Sequence, residues 1–177
     1  MDISLDDGDR KTLLKIRKAR TIVGIFGSYT KFDELTRIKN HLNHNVGFLS
    51  YLADDLKQIY PKREIQTVNS YNRVLSEKLV GMSNIHLFIF FDNLPGESEI
   101  NQSVVSEIRY LYDITKPCHK FLAECVVIYA QKGVNIRSLL EDLIEERTPD
   151  WSQRTYDPDN ILDDVTTVCN IYPPLFN

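Results

Sequence analysis

Apolar positions along this chain follow two patterns that take turns. Continuous apolar runs occupy 21–26 (Thr-Ile-Val-Gly-Ile-Phe), 46–52, 85–92 and 124–130. Runs of this length and continuity have the character of parallel strands buried on both faces. Between them apolar residues recur at spacings of three and four. Leu35, Ile38 and Leu42 mark a helix over 34–43, and Val74, Leu75, Leu79 and Met82 one over 69–82. Ile100, Val104, Ile108 and Leu111 mark a helix over 98–114, and Ile136, Leu139, Leu140 and Leu143 one over 134–146. The spacing is that of one helical face turned to a core.

Strand and helix in alternation predict an α/β fold: a flavodoxin- or Rossmann-like three-layer sandwich on a mostly parallel sheet of four or five strands. The 177 residues suit a single domain. Its parts are an N-terminal helix in 1–20, the α/β core in 21–146 and a loop-rich extension in 147–177 with a last short helix or strand near 160–171. The helix over 10–19 is basic and amphipathic, and Leu13, Leu14 and Ile16 are expected to dock it on the body. In such sheets ligands sit beyond the carboxyl ends of the strands. That edge holds Gly27, Ser28, Tyr29 and Phe32 after the first strand, Asp54 and Asp55 after the second, and Asp92 after the third. Asp33 is the expected N-cap of the helix that follows the first of these turns.

Charge enters the picture at one place. Counted at 100 degrees per residue, Glu107 falls inside the stripe formed by Ile100, Val104, Ile108 and Leu111. Ser103, Ser106, Arg109 and Asp113 point elsewhere. A carboxylate facing the core must be paired, protonated or lining a cavity, because bare burial of charge costs several kcal/mol. The structural alternative is a glutamate at the edge of the stripe, bonded to Tyr29 or to a backbone amide. Asp92 is the second candidate, since two acids near one strand-to-helix junction can divide the labour of glycosidic cleavage. Taken alone, Asp92 also fits a turn cap. Gly27, Ser28 and Tyr29 offer backbone N–H groups and a hydroxyl, but no P-loop or dinucleotide-binding fingerprint is present.

Composition narrows the partners. The net charge of −4 argues against nucleic acid or an anionic membrane as partner. No apolar run approaches a membrane span, and no signal-peptide core begins the chain, so a cytoplasmic protein is expected. Cys118, Cys125 and Cys169 have no CxxC spacing and read as free thiols. His41 and His44 are the one close histidine pair, without further ligands, so neither a metal nor another cofactor is expected.

The order of these features resembles the nucleoside 2-deoxyribosyltransferase family. The residues that carry the resemblance are Ile25-Phe-Gly-Ser-Tyr29 with Phe32, the pair Ser83-Asn84, the strand ending at Asp92, and Ser103-Val-Val-Ser-Glu107-Ile-Arg-Tyr-Leu-Tyr112 leading to Lys116-Pro117. Ser103, Arg109 and Asn84 depart from the family pattern, and the loop after Asp92 is longer. The resemblance implies cleavage or transfer at the N-glycosidic bond of a nucleoside or nucleotide. Glu107 would be the nucleophile, and Asp92, Asp54 or Asp55 the proton donor. Gly27, Ser28, Tyr29 and Phe32 would bind substrate, and a homodimer is implied. Two rivals keep the fold: a TIR-like NAD hydrolase or signalling domain, and a non-catalytic nucleotide-sensing or interaction domain in which Glu107 is a buried structural acid.

Overall fold

The computed structural model describes residues 7–92, 101–115, 126–136, 140 and 152–171. Their elements run α1 (Asp7–Arg20), β1 (Ile22–Gly27), α2 (Phe32–Asn40), β2 (Leu49–Tyr51), α3 (Val68–Met82), β3 (Ile85–Phe90), α4 (Gln102–Thr115), β4 (Val126–Gln131), β5 (Ser152–Tyr156) and α5 (Ile161–Ile171). The strands form one five-stranded sheet in the order β2-β1-β3-β4-β5, and every pairing is parallel. The fold is an α/β sandwich. The expected helix over 134–146, with Leu139 and Leu143, lies largely outside the described residues, as do Ile100, Cys118, Cys125 and the Lys116-Pro117 pair.

The strand alternation divides the core in two. Val23, Ile25, Leu87, Ile89, Val127 and Tyr129 turn to one face and pack under α2 and α5. Phe26, Phe88, Phe90, Val126 and Ile128 turn to the other and meet α3 and α4 through Leu75, Leu79, Val104, Ile108 and Leu111. β3 lies at the centre of the sheet and all six of its residues are buried. That explains its unbroken apolar sequence, including a histidine that has to be accommodated without water. Gly24 has a packing reason: a Cβ there would stand 2.2 Å from the Ser83 hydroxyl.

Four expectations are corrected. The run 46–52 contains only a three-residue strand, Leu49–Tyr51, because α2 continues into a π-helical turn, His41–Val46. Gly47 ends that turn at φ 91°, a left-handed conformation that glycine adopts without a Cβ penalty. Asn43 then satisfies the outer edge of the short strand, accepting from Ser50 N–H at 2.7 Å and donating to Ser50 C=O at 3.3 Å. Asp33 is not the N-cap of α2; Lys31 holds that position and Asp33 lies in the first turn. Leu13, Leu14 and Ile16 are exposed rather than docked. α1 is held instead by Lys18, which donates to Val46 C=O at 3.1 Å and lies over the Phe48 ring. Finally, the described part of the extension holds a strand where loop was expected, while the expected element near 160–171 is present as a helix. These are edge strand β5 and helix α5, whose Ile161, Val165, Val168 and Cys169 are buried.

The junction between β3 and α4 is clamped by a residue whose role the apolar pattern does not reveal. Asn101 is buried; its Oδ1 accepts from Phe91 N–H at 3.0 Å and its Nδ2 donates to Phe91 C=O at 2.9 Å. This pair pins the start of α4 to the end of the central strand. Asn101→Ala leaves two buried backbone groups unpaired and is expected to lower stability by about 2 kcal/mol, read as a shifted urea midpoint. A loss below about 0.5 kcal/mol would mean that water replaces the amide.

Candidate functional site

α3 and α4 lie side by side on one face of the sheet, and the space between them is a cleft of about 540 Å³. α3 contributes Asn69, Asn72, Arg73, Ser76, Glu77 and Val80, and α4 contributes Ser103, Ser106, Glu107, Arg109, Tyr110 and Asp113. Tyr29, from the 3₁₀ turn Tyr29–Lys31 after β1, completes the lining. The volume lies within the range of about 300–1,000 Å³ typical of small-molecule sites.

Glu107 sits where the apolar stripe places it. Val104, Ile108 and Leu111 are fully buried beside it, and the glutamate itself is 9% exposed. Its Oε2 is buried and has no hydrogen-bond partner. Burial pushes the carboxyl up to about 8, with the Ser76 hydroxyl pulling partly the other way. The free protein therefore holds Glu107 mainly in its neutral form at pH 7. Glu107 also borders a second, much smaller hollow formed by Gly27, Tyr29, Phe32, Leu35, Leu52 and Ala53.

Tyr29 borders both spaces, and its phenol is held well above its ordinary range. Burial is the main cause, followed by the nearby carboxyls of Glu107, Asp54 and Asp55. Its ring stacks on Phe32 with centroids 6.5 Å apart and planes 10° from parallel, and both rings stay partly open to solvent. An aromatic platform thus stands beside the buried acid.

The other predicted residues are placed differently. Asp92 does not border the cleft. It is exposed at the end of β3, its N–H donates to Gln131 Oε1 at 3.0 Å, and its carboxylate lies against Gly133 near the end of β4. Its expected partnership with Glu107 in one cavity is corrected: Asp92 is held beside Gln131 and Gly133 near the end of β4, whereas Glu107 lines the space between α3 and α4. Asp54 and Asp55 lie near Tyr29 but line neither space. Asp54 pairs with Lys57, and Asp55 pairs with Lys39 at 2.7 Å while capping Leu52 N–H at 2.7 Å. Both are therefore occupied in holding the turn Ala53–Gln58. Ser28 is buried, and its Oγ lies 2.9 Å from Thr30 Oγ1 and accepts from Thr30 N–H, so it shapes the turn that presents Tyr29. Gly27 borders the small hollow, and a Cβ there would also crowd the Leu35 methyls at 2.6 Å, so packing gives a second reason for a glycine.

The apolar pattern does not reveal what α3 brings to the cleft. Asn69, Asn72 and Ser76 form a polar line at helical spacing opposite Glu107, and Ser76 is buried. The signal was present as small polar residues interleaved with Leu75 and Leu79. Asn84, which departs from the family pattern, accepts from Ile22 N–H at 2.9 Å and so starts β1.

No family model matches the chain, and no curated protein matches it. Among the described residues no group of three or more His, Cys, Asp or Glu comes together as a metal site, and no helix is long and apolar enough to cross a membrane. His41 is engaged with Thr166 Oγ1 at 2.8 Å.

Proposed function

We propose that the α3–α4 cleft binds a nucleoside or nucleotide and that Glu107 acts on its N-glycosidic bond. One observation carries this reading: a buried carboxyl with an unpartnered oxygen forms part of the wall of a cleft large enough for such a ligand. Burying that group weakens the fold, so a ligand that uses it accounts for its presence. The Tyr29 ring in the cleft lining, stacked from the adjoining hollow by Phe32, suits a planar base. The hydroxyls and amides of Ser76, Asn69 and Asn72 suit a sugar.

The test is incubation with nucleosides, deoxynucleosides, their 5′-monophosphates and NAD, followed by detection of free base. Base release is expected from at least one compound, with a loss of about a hundredfold or more in Glu107→Ala. A variant within tenfold of the parent protein would rule out Glu107 as the acting group. A second reading, a non-catalytic nucleotide-sensing domain, is favoured by the position of Asp92, which leaves Glu107 without that acid in the cleft. Binding of a nucleotide without base release would select it.

A further inference from the structure

The resemblance implies an ionised Glu107 that bonds to the sugar, but the surroundings of the side chain suit the opposite state. A carboxylate nucleophile is kept charged by a cation or by several donors. Among the described residues no ion pair is formed by Glu107, and its Oε2 has no donor at all. The charged and titratable groups around it can be taken element by element. On α3, Arg73 is paired with Glu77 at 2.8 Å and is mostly exposed. On α4, Arg109 shares the lining with Asp113 and Tyr110. From the turn after β1 comes Tyr29, a neutral phenol, and behind it Asp54 and Asp55, each paired with a lysine. Three carboxylates (Glu77, Asp54 and Asp55) are thus neutralised in ion pairs, and none of those pairs lends its positive charge to Glu107. Among the described residues, the Ser76 hydroxyl is what favours the ionised form.

Resting on the nucleoside reading above, we propose that Glu107 works in its neutral form, as the proton donor to the departing base of a hydrolysed nucleoside, and forms no covalent bond to the sugar. The bare, buried oxygen beside the cleft is where an O–H can be aimed at a ligand atom instead of at the protein. In the reaction, the Glu107 proton passes to the base's ring nitrogen as the bond from that nitrogen to the sugar carbon breaks. The bonding pair stays on the nitrogen. Water then bonds to the sugar carbon and gives a proton to the Glu107 carboxylate, restoring the acid. Glycoside and water become free base and free sugar, so the product is that of a hydrolase rather than a transferase. Burial, which pushes the group up to about 8, keeps the proton in place at neutral pH.

Three measurements on the full chain decide it. The carboxyl carbon of Glu107, observed by NMR in ¹³C-glutamate-labelled protein and assigned by its loss in Glu107→Gln, is expected to titrate near pH 8. Base release from the best nucleoside of the panel is expected to be flat below that pH and to fall tenfold per pH unit above it. Glu107→Gln is expected to lose a hundredfold or more on that nucleoside, yet to stay within tenfold of the parent protein on 4-nitrophenyl β-D-ribofuranoside, whose leaving group departs without a proton. Equal losses on both substrates, or a sugar adduct on Glu107 seen by mass spectrometry, overturn the donor role. So does titration in the ordinary carboxylate range; with base still released, the glycosidase reading would then stand alone. If no nucleoside releases base, that reading fails and this inference fails with it.

Discussion

Glu107→Gln is expected to be more stable than the parent protein at pH 8 and equal to it at pH 4. The sign follows from the direction of the shift. Burial raises the folded-state value to about 8 from an ordinary 4.5, so between those limits the folded protein holds a proton that the unfolded chain has released. Stability associated with this group is complete below pH 4.5 and is lost as pH rises toward 8. At about 1.4 kcal/mol per unit, the loss reaches on the order of 3 kcal/mol by pH 7. An amide of the same shape has no such dependence. Urea denaturation of both proteins at pH 4, 6 and 8 checks this: the gap should be absent at pH 4, open with pH and reach about 4 kcal/mol at pH 8. A gap independent of pH would show that Glu107 is ionised in the folded state. Because the same substitution is expected to slow base release from the nucleoside about a hundredfold or more, the pair of results would mark a residue retained for function against stability.

His86 produces the opposite slope. It is buried in the centre of the sheet, stacked on Phe26 and Phe88, with Nε2 2.8 Å from Val80 C=O. A carbonyl only accepts, so Nε2 carries the proton and Nδ1 is the bare nitrogen, which is buried without a partner. Charging the ring would place the second proton at Nδ1 among apolar neighbours. Burial therefore lowers the group from 6.5 to about 4, the Val80 hydrogen bond opposing in part. The unfolded chain takes up this proton first, and stability falls as pH drops from 6.5 to 4, by about 3 kcal/mol in full. His86→Leu is expected to flatten that acid limb, whatever its effect on stability at neutral pH. An acid limb as steep in His86→Leu as in the parent protein would assign the loss to other groups. Between pH 4.5 and 6.5 the His86 and Glu107 slopes oppose one another, so the Glu107 effect stands alone above pH 6.5 and the His86 effect alone below pH 4.5.

Much of the fold was legible because its signals are local. Unbroken apolar runs at 21–26 and 85–92 have one stable home, the middle of a parallel sheet, and the helical stripe through Val104, Ile108 and Leu111 places Glu107 on the buried side. Edge structure was less legible. β5 reads Ser-Gln-Arg-Thr-Tyr, with little apolar content, because an edge strand under partial cover needs few apolar residues. β2 shrank to three residues because the π turn and Asn43 take over its flank, a tertiary arrangement with no periodic signature. Leu13, Leu14 and Ile16 have the pattern of a docked face, yet pattern alone does not supply the surface to dock on.

The same division runs through the candidate site. The sequence by itself placed Glu107 within or at the edge of the apolar stripe of α4, and showed that the carboxyl ends of the strands would present Tyr29 and Phe32; its burial was decided by the packing. Only the tertiary structure decided which acids share a space. Asp92 leans toward β4, where Gln131 accepts its N–H, and Asp54 and Asp55 are drawn off by Lys57 and Lys39. Only the packing of α3 against α4 could bring Ser76, Asn69 and Asn72 opposite Glu107, because those contacts join residues some 30 positions apart through side chains that carry no apolar signal. The charge state of Glu107 belongs to that packing too: its chemistry is set by what was left unpaired around it.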